Sequence, residues 1–378
     1  MLLTSRMARV GTVAGFALFG AWAACAQNYT LQVLTSDGSV TAANTDPNLI
    51  NGWGLSRSSG SPWWVSANGT GKSTLYDGTG AVQSLVVSIA GAAGNGTGKP
   101  SGTIYNGTQD FQIADGKPAV FLFASEDGTI SGWNSGVDPA NTIVKVNNPG
   151  AIYKGLTTAW VNGIQYLYAA NFASGKIEIY DAGFNPVSPN YAAFTLQPSR
   201  STNFLGPFQP AGGLNDFTGF VPYNIQNIGG TLFIAFAIQD DEKEDSVSGA
   251  GLGVVAAFTP TGRQLKIYER GSFLNAPWGL ALAPSDFGSF SHCLLVSQFG
   301  SGQIVAFNLM SGDMVGVLAD ENNQPISIDG VWGIGFGNAS KSGAYNTLYF
   351  TAGPYDENNG EFGSLTPTSA SLTQGNDL

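Results

Sequence analysis

Residues 52–55 (GWGL), 277–280 (PWGL) and 331–334 (VWGI) carry one short motif at three distant places in the chain. Each copy joins a tryptophan to a glycine and continues into apolar residues. Three weaker copies lie between the first two, at residues 100–103 (PSGT), 153–156 (YKGL) and 222–225 (PYNI). A motif that recurs along a whole chain predicts a fold built from repeated units.

The spacing of the copies predicts the number of units. The third residue of each copy serves as a marker, and the markers are Gly54, Gly102, Gly155, Asn224, Gly279 and Gly333. The steps between them are 48, 53, 69, 55 and 54 residues, and the long step contains an insertion around residues 187–217. Steps of about 40 to 50 residues are typical of four-stranded propeller blades. We therefore expect an all-β fold, a six-bladed β-propeller.

Each strong copy is followed by a strand, a glycine-containing turn and another strand. After the first copy these are residues 63–67 (WWVSA), 68–71 (NGTG) and 73–77 (STLYD). Residues 30–34 (TLQVL) form one further strand, which we expect to pair with the last blade and close the ring without a free edge. The predicted propeller covers residues 27–365, and residues 366–378 form a disordered tail rich in serine and threonine.

Residues 1–26 have the pattern of a secretory signal peptide. Arg6 and Arg9 precede an apolar run that ends in Ala24-Cys25-Ala26, a small-residue cleavage pattern. We expect a secreted or periplasmic protein without a transmembrane segment in the mature chain, with lipoprotein anchoring at Cys25 as the alternative. Cleavage leaves Cys293 as the only cysteine, within an apolar strand, where a buried thiol is expected.

The charge of the chain limits its partners. The full sequence has 15 basic and 26 acidic residues and a net charge of −11; removal of the two arginines lowers it to −13. A surface this acidic repels phosphate backbones, so nucleic acid is excluded as a partner. We expect a monomer that binds a small molecule, a glycan or a protein.

Several motifs together resemble a known group of proteins. They are residues 51–55 (NGWGL), 61–65 (SPWWV), 222–226 (PYNIQ), 275–280 (NAPWGL) and 328–333 (IDGVWG). The sequence resembles an uncharacterised family of exported bacterial six-bladed propeller proteins, some of which end in a sorting tail that this chain lacks. It is more distantly similar to the NHL and gluconolactonase-like propellers. The resemblance implies fold and export, and names no activity.

The distant resemblance implies a candidate metal site. Gluconolactonase-like propellers hold a divalent cation with Glu, Asn and Asp at the starts of inner strands, and Asn51 and Asp329 resemble such positions. Asn224 and Asn275 flank two other motif copies, so these four residues are the candidate ligands, and their oxygens suit calcium. No glutamate matches the expected position in the first blade. Asn and Asp before glycine are also ordinary turn residues, which is the alternative interpretation.

The repeated tryptophans are candidates for ligand binding. Trp53, Trp278 and Trp332 share one repeat position and could line a channel for sugars or apolar ligands. Packing between adjacent blades is the alternative. Residues 240–245 (DDEKED) form the densest charge run, which could bind a cation near the channel mouth or be a solvated loop.

Motifs for other chemistry are incomplete or missing from the sequence. His292 is the single histidine, which argues against a histidine-based triad, and there is no paired-cysteine or HExxH zinc motif. We therefore expect a propeller that binds a ligand or a protein partner at one face of its channel. The alternative is a calcium-dependent hydrolase or lactonase of the gluconolactonase-like type.

Overall fold

Short runs of β-branched, aromatic and small residues, separated by glycine turns, form strands along the whole described chain. The structure is a computed structural model that describes residues 28–92, 97–188, 194–198 and 216–368. The predicted signal peptide, residues 369–378 and most of the insertion at 187–217 lie outside these ranges. No α-helix occurs within them; two 3-10 turns cover Asn68–Thr70 and Gly288–Phe290.

The first half of the chain contains strands β1 (Tyr29–Ser36), β2 (Asn44–Thr45), β3 (Gly52–Ser56), β4 (Trp63–Ala67), β5 (Lys72–Tyr76), β6 (Val87–Ser88), β7 (Pro100–Tyr105), β8 (Gln112–Ala114), β9 (Lys117–Pro118), β10 (Phe121–Ser125), β11 (Thr129–Asn134), β12 (Asp138–Asn147), β13 (Tyr153–Val161), β14 (Ile164–Asn171) and β15 (Lys176–Tyr180). The second half contains strands β16 (Phe220–Ile228), β17 (Thr231–Ile238), β18 (Gly253–Phe258), β19 (Gln264–Ile267), β20 (Pro277–Leu282), β21 (Cys293–Gln298), β22 (Ile304–Asn308), β23 (Met314–Val317), β24 (Val331–Phe336), β25 (Leu348–Ala352) and β26 (Glu361–Pro367).

Most of these strands form antiparallel meanders. The orders β16-β17-β18-β19 and β20-β21-β22-β23 are separate four-stranded sheets, and β13-β14-β15 is a three-stranded one. The meanders β3-β4-β5-β6 and β7-β10-β11-β12 are joined through a parallel contact between β6 and β12 into one eight-stranded sheet. Strands β8 and β9 form a small hairpin.

The two ends of the described chain meet in one sheet, with the order β2-β1-β26-β25-β24. Strand β1 pairs antiparallel with β26, from Tyr29 opposite Pro367 to Ser36 opposite Glu361. The predicted strand at residues 30–34 and its pairing with the last unit are confirmed. Strand β26 runs two residues beyond the predicted end of the propeller at residue 365. This pairing leaves no open edge between the first and last units.

The six motif copies lie on β3, β7, β13, β16, β20 and β24, and these strands contact one another in a closed cycle. Each is the first strand of its meander. Hydrophobic side chains fill the space between neighbouring sheets; Phe233 and Val255, for example, pack with Leu294 and Val305 of the next sheet. Meanders arranged around a central axis in this way form a propeller-type fold.

The marker glycines lie where neighbouring inner strands approach each other most closely. A Cβ atom on Gly54 would lie 2.3 Å from the carbonyl oxygen of Ser101, and one on Gly333 would lie 2.5 Å from that of Trp53. At the fourth marker the side chain of Asn224 crosses the gap instead, and its Nδ2 donates a hydrogen bond of 2.9 Å to the carbonyl oxygen of Trp278. Side chains larger than hydrogen are therefore excluded from most marker positions.

Side-chain hydroxyls also join adjacent inner strands. The Thr351 hydroxyl accepts a hydrogen bond from the Gly333 amide (3.0 Å) and donates one to the carbonyl oxygen of Trp53 (2.6 Å). Ser297 bridges the Gly279 amide and the carbonyl oxygen of Trp332 in the same way, at 2.7 and 2.6 Å. Gly279 and Gly333 lie at register shifts in their ladders, and these bridges give their backbone groups hydrogen-bond partners.

We predict that Gly54→Ala lowers the free energy of unfolding by about 1–3 kcal/mol, because the new methyl group would collide with backbone atoms of β7 that cannot rotate away. Urea unfolding of both proteins measures the difference. Gly60→Ala is the matched control, since Gly60 has ordinary backbone angles and open space around it. Equal stability of the Gly54 and Gly60 variants would contradict the close approach of β3 and β7.

Candidate functional site

Aromatic side chains close the centre of the ring. Trp53, Tyr223, Trp278 and Trp332 each precede a marker residue and meet in one buried cluster with Phe172. The ring centroids of Trp53 and Trp332 lie 4.2 Å apart, and those of Trp278 and Trp332 lie 5.8 Å apart. The three candidate tryptophans thus contact one another at the axis, are 0–4% exposed and present no ring face to solvent.

Lys154 occupies the same repeat position as these aromatic residues, and it is the charged member of the ring. Its side chain is fully buried. The ammonium lies 4.7 Å above the ring of Trp53, forms an ion pair with Glu126 and forms another with Asp245 at 2.7 Å. Burial without partners would lower the pKa of Lys154, but the negative charges of Glu126 and Asp245 raise it above its usual value.

Three loops bring carboxylates to this lysine. Glu126 follows β10, Asp245 lies between β17 and β18, and Glu357 lies between β25 and β26. Each loop joins the second and third strands of its meander, so all three open on the same end of the ring. We call the group formed by Glu126, Lys154, Asp245, Glu357 and Asn51 the acidic mouth.

Glu357 enters the acidic mouth from an unusual backbone turn. Tyr355, Asp356 and Glu357 have φ angles of 56°, 53° and 64°, so three consecutive residues are left-handed. This conformation costs about 1–2 kcal/mol for each such residue. Strain of this kind persists where surrounding contacts determine the backbone, and it concentrates at functional positions. The Glu357 carboxylate accepts a hydrogen bond from Nδ2 of Asn51, whose Oδ1 accepts one from the Trp332 indole.

The charge balance of the acidic mouth is unfavourable to full ionisation. Burial, followed by the negative charges of Asp245 and Glu126, raises the pKa of Glu357 from 4.5 to about 7, and the Asn51 hydrogen bond and Lys154 offset only part of this. One ammonium thus faces three carboxyl groups. Near neutral pH Glu357 is therefore partly protonated, whereas an ordinary glutamate would be almost fully ionised.

The side-chain oxygens of the four predicted metal ligands are engaged by four different donors. In each residue a side-chain oxygen accepts a hydrogen bond from a different donor: Asn51 from the Trp332 indole (3.0 Å), Asn224 from the Ile225 amide (2.8 Å), Asn275 from the Gly249 amide (2.6 Å) and Asp329 from the Tyr355 amide (2.9 Å). Of the four, only Asn51 belongs to the acidic mouth. Within the described residues no group of three His, Cys, Asp or Glu side chains has a spacing suited to a metal ion.

A calcium site formed by these four residues stays a prediction. Calcium takes six to eight oxygen ligands, and one oxygen of each of these four residues already accepts a hydrogen bond from an N–H group. Glu357 does, however, place a carboxylate beside Asn51. Gluconolactonase-like propellers have a glutamate ligand in the first blade, and no glutamate of this sequence matches that position.

The charge run at residues 240–245 is mostly solvated, with one exception. Residues 241–245 are exposed and Asp240 is half-buried; the side chain of Asp245 is 62% exposed, yet it reaches the buried Lys154. The run therefore forms part of the rim of the acidic mouth. Cys293 lies away from this site; burial raises the pKa of its thiol to about 11, in agreement with the expected buried thiol.

The sequence analysis missed Lys154, Glu126 and Glu357. Lys154 could have been found, because alignment of YKGL with GWGL places it at the tryptophan position. Glu126 directly follows a second strand, as Phe172 and Phe299 do in other units, and those residues also reach the axis. Glu357 gave no such signal, because its position depends on the left-handed turn.

Comparison with known proteins identifies relatives and a shared fold. Uncharacterized protein R648 of Acanthamoeba polyphaga mimivirus is 30% identical over 347 residues, which cover 89% of this chain and 80% of that protein. The chain therefore belongs to the same family as the mimivirus protein. A scan against protein-family models finds no match.

Two solved structures support the propeller-type fold. Virginiamycin B lyase from Staphylococcus aureus superposes with a TM-score of 0.51 at 11% identity, over 90% of this chain and all of that one. A structural genomics protein of unknown function from Bacteroides thetaiotaomicron gives 0.52 at 9% identity, over 89% and 76% of the two chains. At these identities the likeness concerns the fold alone. No helix in the described part of the chain is long and apolar enough to cross a membrane.

We predict that Glu357→Gln makes the protein less sensitive to pH between about 4.5 and 7. The folded state holds the Glu357 proton more tightly than the unfolded chain, so the free energy of unfolding falls as pH rises through this window. Glutamine keeps an acceptor for Asn51 and carries no charge. Above pH 7 the variant should be more stable than the parent by about 1–3 kcal/mol.

Urea unfolding at a series of pH values measures this effect. Asp138→Asn is the control, since Asp138 is a surface carboxylate on β12 that does not contact the acidic mouth. Parallel stability–pH curves for the parent and the Glu357 variant would contradict the prediction, because they would show that the pKa of this carboxyl group is the same in the folded and unfolded states.

Proposed function

We propose that this chain is an exported, six-bladed propeller that binds a cationic ligand at its acidic mouth. The closed cycle of six motif strands supports the number of blades, and the signal pattern of residues 1–26 supports export. The single observation that carries the ligand class is the ratio of three carboxyl groups to one ammonium around Lys154.

A cation entering the mouth would correct this imbalance. Glu357 is held partly protonated because it is largely buried and its carboxylate neighbours are negative. A positive ligand group beside it would favour the ionised form, and release of the proton would couple binding to pH. The exposed side of Asp245 and the rest of the 240–245 run extend the negative surface toward solvent and would attract such a ligand from a distance.

The full chain should bind cations more tightly at pH 8 than at pH 6, because Glu357 is ionised only at the higher pH. Isothermal titration at low salt with calcium chloride, and separately with spermidine, distinguishes a metal ion from an organic ammonium. Glu357→Gln should weaken binding at pH 8 by about fivefold or more and remove most of the pH dependence.

Asp138→Asn is again the matched control and should bind as the parent does. The proposal is wrong if neither cation binds, or if the control and the Glu357 variant lose affinity equally. Tight binding of calcium alone would favour a metal site at the mouth, with Glu357 in place of the glutamate missing from the sequence motif.

Acid–base catalysis at the same mouth is the second candidate, because a carboxyl group with a pKa of about 7 can both accept and donate a proton at neutral pH. This candidate is the calcium-dependent hydrolase or lactonase of the sequence analysis. A panel of γ- and δ-lactones, assayed with calcium and with chelator, tests it. We expect Glu357→Gln to lower kcat/KM by about 100-fold or more if Glu357 transfers the proton. Turnover no faster than buffer for every lactone would reject it.

A further inference from the structure

The end of the ring opposite the acidic mouth opens into a funnel. The inner strands continue past their markers to residues such as Ser56 on β3 and Gln226 on β16, which lie at this end. Two adjoining cavities of about 320 Å³ each share Leu55, Ser56, Arg57, Gln226 and Asn227 in their walls. Gln226 also lines a narrow axial cavity of about 30 Å³ below them, which has room for a water molecule and little more.

Three polar side chains of the funnel are available to a ligand. Those of Ser56, Thr158 and Gln226 form no hydrogen bond to any other residue that the structure describes. They differ in this from the acidic mouth, where the carboxyl groups and the lysine are already paired. Open hydroxyl and amide groups at the base of a concave site fix the orientation of a bound small molecule.

Arg57 supplies the only charge in the walls of these cavities, since the described lining residues include no Asp, Glu or Lys. Its Nε donates to the carbonyl oxygen of Phe336 at 2.6 Å and its Nη2 to that of Gly337 at 2.9 Å. The guanidinium also lies 5.5 Å from the centre of the Trp63 ring. Its partners are neutral groups, and no described carboxylate pairs with it.

These contacts hold the guanidinium in place without neutralising it. They run from β3 to the end of β24, so Arg57 is fixed at the seam between the first and last units of the ring. A guanidinium has five N–H donors, and the hydrogen bonds to Phe336 and Gly337, with a longer one of 3.5 Å from Nη1 to the carbonyl oxygen of Ser58, use three of them. Burial lowers the pKa of Arg57, which reflects a charge that lacks a compensating anion.

We propose that the funnel is a binding site for a small organic carboxylate, whose charged group pairs with Arg57 and whose oxygens also meet Ser56 and Gln226. A planar carboxylate matches the geometry of a guanidinium and forms a stronger hydrogen bond than a neutral acceptor does. Leu55, Leu282 and Phe336 provide an apolar wall for the body of the ligand. This site is separate from the acidic mouth and favours the opposite ligand charge.

Titration of the full chain with benzoate, followed by two-dimensional NMR, tests the proposal, and benzamide serves as the neutral ligand of the same shape. We expect benzoate to bind saturably and to shift resonances that belong to funnel residues. Benzamide should bind at least about tenfold more weakly. Arg57→Gln should abolish the preference for benzoate over benzamide.

Two further variants separate binding from folding. Gln226→Leu leaves the contacts of Arg57 across the seam intact and should weaken benzoate binding severalfold. Glu357 lies at the other end of the ring, so Glu357→Gln should leave benzoate binding unchanged. Equal binding of benzoate and benzamide, no saturable binding of either, or an unchanged benzoate preference in Arg57→Gln would each overturn the carboxylate site. Loss of cation binding at the acidic mouth would not affect this test.

Discussion

The close approach of inner strands at the marker positions constrains the rest of the molecule. Where Gly54 faces the backbone of β7 and Gly333 faces that of β3, there is no room for even a methyl group. Hydroxyls of Ser297 and Thr351 then bridge the strands, because the backbone groups would otherwise be buried without partners. In the described part of the chain the axial cavity at the inner strands is about 30 Å³, and this narrow ring separates two ends with different chemistry.

Five of the six residues that precede a marker meet at the axis, and the sixth, Ser101, donates a hydrogen bond to the carbonyl oxygen of Tyr153. Three tryptophans and a tyrosine fill most of this layer, and they exclude water from the centre. Lys154 stands among them, and a buried ammonium is stable only with counter-charges close by. Glu126 and Asp245 provide these counter-charges. Glu357 adds a third carboxyl group, which leaves this end of the ring with an excess of negative charge. Removal of Lys154 would leave the same acids without compensation.

The opposite end contrasts with the acidic mouth although the same strands form it. There the side chains beyond the markers spread apart, so a funnel remains, and its one charge is the arginine that ties β3 to β24. A chain with a net charge of −11 thus keeps one site free of acidic side chains. On the two proposals made above, cationic and anionic ligands would bind at opposite ends of the ring.

The sequence by itself determined the repeat, the strands and the pairing of the two chain ends, because the spacing of GWGL-like motifs and the alternation of residues are local features. It also marked Trp53, Trp278 and Trp332 as one set, although not their contact at the axis. Only the tertiary structure decided which side chains meet: Asn51 joins Glu357 across 306 residues, while Asn224, Asn275 and Asp329 hold separate hydrogen bonds. Such meetings depend on loop conformation and on the summed charge around a buried group, neither of which a motif encodes.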